Sequence, residues 1–271
     1  MKTKVPVDVI IFSGQSNMQG QSECLSENDI VKDTYEYKWL TDEILPLQNP
    51  VGENITYSME QGYDVTSKTH IPSWLDEHAL GAACYGNTNL VPSFCRTYTE
   101  ITKRSVLAVH AAKGSTRISE WLPEGPIYSI LVEKARGAIQ KVSPERIFFV
   151  WLQGESDAIA SVKKDDYKAD LHVLYDALKA DLGIDLFGII RVGKFTNDDR
   201  DIEIISAQDE ICREDEDFVM LTDIATNLNQ QKEYMNPQVK GHYSAKGLEM
   251  LGSTAANTLC KYVLSKQAQQ A

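Results

Sequence analysis

VDVIIFSGQSNMQG, residues 7–20, decides how the rest of the chain is read, because an apolar run stops there at small and polar residues. Val7, Val9, Ile10, Ile11 and Phe12 are β-branched or aromatic apart from Val7's neighbour Asp8, and such a run predicts a strand buried on both faces of a parallel sheet. Ser13-Gly14-Gln15-Ser16-Asn17-Met18 then supplies a glycine for a tight turn and a serine where the next element begins. Ser16 is therefore expected beyond the carboxyl end of a central strand, where open α/β sheets hold their ligands. Its N–H would point into the same crevice, near a helix N-terminus that favours negative charge. The competing reading of Ser16 is a helix N-cap, the commonest job of a serine after a strand.

Working outward, the α/β rhythm resumes at residue 91. Helices are expected over Pro92–Thr102, Tyr128–Val142, Asp165–Leu182, Ile202–Arg213 and Ser244–Leu264, from apolar residues at helical spacing. Buried strands are expected at Ser105–Ala111, Arg146–Leu152, Phe187–Val192 and Phe218–Ile224. Strands that alternate with helices imply right-handed crossovers and a parallel sheet covered on both faces. The expected fold class is α/β: a flavodoxin-like three-layer α/β/α sandwich of about five parallel strands. Residues 1–271 read as a single domain with a long, irregular insertion at about 21–90. Loops of that length are usually functional. Trp39, Tyr63, Trp74 and Tyr85 lie in the insertion, either as buried anchors or as a sugar platform in a wall of the cleft.

Composition narrows the function. The net charge of −12, with no long Lys/Arg cluster, argues against a nucleic-acid partner. No stretch approaches the roughly eighteen apolar residues of a membrane span, and no signal peptide is visible, so the chain as written reads as cytoplasmic, with secretion open for a mature form. Five widely spread cysteines (Cys24, Cys84, Cys95, Cys212, Cys260) without a C-x-x-C pair suit reduced thiols. There is no G-x-G-x-x-G after the first strand, no P-loop and no H-E-x-x-H. His70, His78, His110 and His172 are too scattered to imply a metal, and no cofactor or metal is expected. His242 differs from them, because Gly241-His242-Tyr243-Ser244 lies just before the final helix, from where an imidazole reaches back over the sheet edge.

Acyl transfer needs a nucleophile, a base within reach and donors aimed at the developing oxyanion. The chain offers Ser16 as nucleophile, His242 as base, and an oxyanion hole from the N–H groups of Ser16 and Gly114 with the side-chain amide of Gln153. A neutral amide donates without adding a titrating charge. Gln15, beside the nucleophile, and Arg117, three residues after the Gly114 loop, are candidates for substrate contact; Arg117 could equally pair with Glu120 at i+3.

Four segments carry a resemblance to a known family: Gly14-Gln15-Ser16-Asn17-Met18, Lys113-Gly114-Ser115, Trp151-Leu152-Gln153-Gly154-Glu155-Ser156-Asp157 and His242-Tyr243-Ser244-Ala245-Lys246-Gly247. In that order they resemble the SGNH hydrolases, specifically the branch of sialate O-acetylesterases and acetylxylan esterases, which uses glutamine in the third segment where the superfamily at large has asparagine. The resemblance implies hydrolysis of acetyl esters on a sugar or polysaccharide, without metal or organic cofactor. A general short-chain esterase or lipase, and a carbohydrate-binding relative that has lost catalysis, are the alternatives. One position departs from the family: Val239 stands where it carries an aspartate three residues before the histidine. The expectation is that a main-chain carbonyl of the Gln238–Lys240 loop holds Nδ1 of His242, giving a Ser-His dyad. Glu155 and Asp157 are possible substitutes for the acid, although Glu155 is expected to satisfy loop N–H groups instead.

Overall fold

A computed structural model describes residues 7–22, 30–54 and 88–270, together with short pairings at 64–65, 68–69 and 82–83. The apolar run that opens the chain is strand β1, Val7–Gly14, and Val9 through Phe12 are fully buried in it. It is flanked by two parallel neighbours, β4 (Ser105–Ala112) and β5 (Arg146–Leu152). Beyond β5 lie β6 (Leu186–Ile190) and β7 (Phe218–Thr222), again parallel. These strands follow the flavodoxin-like order, and β1 is the point at which the winding reverses.

The sheet is larger than the expected five strands. Beside β4 it continues through β2 (Thr34–Lys38), which is parallel to β4, and ends at β3 (Glu43–Pro46), which is antiparallel to β2. Both come from the stretch read as irregular, so residues 34–46 correct that reading. The physical reason is that β2 buries charge. Glu36 and Lys38 form an ion pair of 2.9 Å, and the buried Glu53 pairs with the fully buried Lys134 at 3.1 Å. Burial pushes the Glu36 carboxyl up against the pull of Lys38. A strand that pairs its buried charges in space has no apolar alternation to announce it.

Helices cover both faces. α2 (Val91–Thr102) packs against the C-terminal helix Ala245–Gln270. Helix α3 (Tyr128–Val142) packs beside α4 (Lys164–Leu182), and α4 packs beside α5 (Asp201–Glu214). Each of these five helices lies within a few residues of its expected bounds. Aromatic rings fill the layer under β5: Trp151 meets Trp121 edge-on at 5.5 Å and lies 6.0 Å from Phe149. Cys95, Cys212 and Cys260 are free thiols, and burial pushes those of Cys212 and Cys260 up to about 12. Cys24, Cys84, His70, His78, Tyr63, Trp74 and Tyr85 lie outside the described residues, whereas Trp39 is half-buried and packs on the core. Among the described residues no helix is long and apolar enough to cross a membrane.

Candidate active site

The carboxyl ends of β1, β4 and β5 meet at one edge, and glycine makes the meeting possible. Gly14 sits at φ +142, and a Cβ there would lie 2.0 Å from the carbonyl oxygen of Leu152. Gln15 N–H then donates to that same oxygen at 3.1 Å, tying the exit of β1 to the end of β5. The chain turns at once into a one-turn helix, α1, Ser16–Gln19. Gln15 occupies the N-cap position and Ser16 is the first helical residue, so the serine is not a cap. Ser16 is 7% exposed. Among the described residues its N–H meets no main-chain acceptor.

Gly114 arrives at Ser16 from the end of β4. Lys113 N–H donates to Gly14 O at 2.9 Å, and a Cβ on Gly114 would stand 3.4 Å from Ser16 Cβ. The N–H of Gly114 donates to Oε1 of Gln19 at 2.8 Å. The loop is braced from behind: Thr116 Oγ1 donates to Lys113 O at 2.8 Å and accepts from Trp121 Nε1 at 2.9 Å.

Gln153 stands in the right place but faces inward. It is fully buried, and its Nε2 donates to Thr116 O at 2.9 Å and to Asp157 Oδ2, with Gln15 Oε1 3.3 Å away. Oε1 of Gln153 accepts from Tyr167 OH at 3.0 Å. Both amide hydrogens therefore have protein acceptors, so an oxyanion bound by Gln153 would have to replace one of them. Gln15 is 4% exposed, and its Oε1 accepts from Ser156 N–H at 3.1 Å and Gly154 N–H at 3.3 Å, so its carbonyl faces the loop after β5. Arg117 is exposed at the rim; the Glu120 carboxylate takes its main-chain N–H at 2.7 Å, not its guanidinium.

His242 is delivered by the segment before the last helix. Its Nδ1 lies 3.0 Å from the main-chain oxygen of Lys240, within the loop expected to hold it. No carboxylate figures among the groups that set its titration: burial lowers its pKa from 6.5, opposed by hydrogen bonds to Lys240 and Val239. Among the described residues no hydrogen bond joins Ser16 to His242. The two are linked through Asn17, whose Nδ2 reaches Gly241 O at 3.5 Å and whose Oδ1 accepts from Tyr243 N–H at 3.3 Å, gripping both neighbours of the histidine. Tyr243 anchors the far side, with its OH donating to Ala225 O at 3.2 Å and its ring edge-on to Phe195.

The same Asn17 Nδ2 donates to Glu155 Oε1 at 2.8 Å. Glu155 thus supports the histidine segment through an amide instead of touching the ring. Burial lifts its pKa to about 7, and burial likewise lifts Asp157 to about 6, with the Gln153 and Ile118 hydrogen bonds pulling the latter back. Asn17 is the residue the sequence reading left without a role, although it stands inside the Gly-Gln-Ser-Asn-Met motif. Among the described residues no three His, Cys, Asp or Glu side chains converge to hold a metal.

Comparison with known proteins gives these contacts a frame. The family described as carbohydrate esterase, sialic acid-specific acetylesterase, matches residues 6–261. A probable carbohydrate esterase of Arabidopsis thaliana is 26% identical over 188 residues, 69% of this chain and 68% of that protein. Among solved structures, NanS is similar with a TM-score of 0.65 at 14% identity, covering 99% of this chain and 100% of that one. A carbohydrate acetylesterase from Xanthomonas citri reaches a TM-score of 0.54 at 15% identity, over 93% of this chain and 55% of that one.

Proposed function

The chain belongs to the sialic acid-specific acetylesterase family of carbohydrate esterases and is a carboxylic ester hydrolase, and on that premise we propose that it removes acetyl groups from a sugar through an acyl-enzyme on Ser16. Ser16 Oγ attacks the ester carbonyl while His242 Nε2 takes its proton. The N–H groups of Ser16 and Gly114 receive the oxyanion, and the imidazolium then protonates the departing sugar oxygen. A water activated by the same imidazole releases acetate and frees the serine.

The observation that carries this reading is the contact of His242 Nδ1 with Lys240 O. A carbonyl accepts only from Nδ1–H, so it selects the tautomer whose Nε2 is a base. Burial supports the same state by keeping the ring neutral near pH 7. Asn17 ties that ring's segment to the helical turn that Ser16 opens, and Gly114 closes on Ser16, where a Cβ on the glycine would stand 3.4 Å from Ser16 Cβ. The acetylated-sugar substrate follows from the family and from relatives described as carbohydrate esterases.

Acetate release from O-acetylated sialic acid and from acetylated xylo-oligosaccharides, measured for the wild type and Ser16→Ala, tests the proposal. The expected result is turnover of at least one acetylated sugar and loss of about a thousandfold or more in the variant. Retained activity in Ser16→Ala would remove Ser16 from the nucleophile role. A preference for longer acyl chains without sugar would favour a general short-chain esterase.

A further inference from the structure

The N–H of Gly114, the glycine that closes on Ser16, is not vacant. Oε1 of Gln19 accepts from it at 2.8 Å, from the last residue of the same helical turn that Ser16 opens. A Cβ on Gly114 would lie 3.0 Å from that Oε1 and 3.4 Å from Ser16 Cβ, so serine, glycine and glutamine crowd one small volume. An ester oxygen bound by the Gly114 donor must occupy the space in front of this N–H, which is where the Gln19 oxygen now sits.

We propose that Gln19 is a built-in competitor for the oxyanion hole: its amide oxygen satisfies the Gly114 N–H in the free enzyme and is displaced when substrate enters. The inference rests on the reading of Gly114 as an oxyanion donor. A main-chain N–H left without an acceptor in a water-poor crevice is costly, and a side-chain amide offers an acceptor without bringing charge to a place where negative charge must develop. Gln19 is only half-buried, and its flexible side chain can turn away when an ester oxygen takes over the Gly114 N–H. Because that bond is broken before the chemical step, it weighs on substrate binding and not on the barrier from bound ester to transition state. Gln19 therefore sets KM, while Ser16 and His242 set kcat.

Hydrolysis of 4-nitrophenyl acetate by wild type, Gln19→Ala, Gln19→Asn and Gln19→Glu, with Ser16→Ala as control, tests this. In Gln19→Ala and Gln19→Asn, neither of which reaches the Gly114 N–H, KM falls about three- to tenfold with kcat within about twofold, as expected for removal of one competing hydrogen bond. In Gln19→Glu a carboxylate accepts more strongly and repels the oxyanion, so kcat/KM drops about tenfold or more near pH 8, and the loss is relieved on acidification. Amide hydrogen exchange, which needs no turnover, should show faster exchange at Gly114 in Gln19→Ala. Unchanged or raised KM in both neutral variants, or unchanged exchange at Gly114, would overturn the proposal. Full turnover by Ser16→Ala would instead bring down the nucleophile reading, while the exchange measurement would still report on the Gln19 contact.

Discussion

A histidine held by a peptide oxygen differs from one held by a carboxylate in what happens when it takes a proton. The Lys240 carbonyl fixes the ring of His242 but offers the imidazolium only a dipole, and burial works against the charge, so its pKa lies below 6.5. The acid limb of kcat/KM should therefore fall below pH 6.5, and a pH–rate profile that turns down above 7 would contradict the assignment. Val239→Asp places a carboxylate where the family has one. That variant should shift the acid limb upward by about one pH unit or more and raise kcat, since an adjacent negative charge favours the imidazolium. A folded Val239→Asp with neither change would show that the carbonyl already does what an acid would do. Asn17 carries a related prediction. Asn17→Ala releases Gly241 and Tyr243 together and strips Glu155 Oε1 of its donor. We expect kcat to fall by about tenfold to a hundredfold, because a modest misplacement of a base is enough for that.

At the level of elements, β1 and β4 to β7 were legible because each is a nearly continuous apolar run, and the five long helices because their apolar residues repeat at helical spacing. β2 was not, because its inward positions include Glu36, whose burial makes sense only beside Lys38 and the distant Lys134. The segments that meet at the sheet edge were legible as motifs at strand ends. The contacts of Gln15 and Gln153 there were not, because a motif names a side chain without saying which way it points: the Gln153 amide meets Thr116 O, and the Gln15 carbonyl meets Ser156 N–H. The partners of Asn17 lie 138 and 226 residues away, which no local pattern reports. Two variants probe these elements by denaturation. Lys134→Ala leaves Glu53 buried without its cation, and a loss of about 3–5 kcal/mol is expected, with Lys134→Met plus Glu53→Gln much milder. Gln153→Ala leaves Thr116 O without its side-chain donor and Asp157 with only the Ile118 N–H, so it should lower stability by about 1–3 kcal/mol. A stable Gln153→Ala with a hundredfold loss of kcat would restore the side chain as an oxyanion donor.

Over the whole molecule, buried titratable groups oppose one another. Glu155 and Asp157 have folded-state pKa values raised by burial to about 7 and about 6, so the folded protein holds their protons more tightly than the unfolded chain does. Their contribution to stability is fullest below the unfolded values near 4 and is lost as pH rises towards 7. His242 has the opposite sign: its pKa is lowered, so stability falls as pH drops through 6.5. Glu155→Gln keeps an acceptor for Asn17 and removes one titration. Its stability relative to wild type should rise between pH 5 and pH 8 by about 3 kcal/mol, read from urea midpoints at the two pH values; an unchanged difference would show that Glu155 is ionised throughout. The strand order has a consequence for how the chain is made. β1 is synthesised before both strands that flank it, and its far neighbour, β5, ends at Leu152. Until the ribosome has passed that point, the edge of β1 that β5 covers stays unpaired along Val9 through Phe12. Ser16 thus sits at the tip of a segment exposed to misassociation during translation, and nascent chains halted before residue 152 should need a holding chaperone that longer ones release.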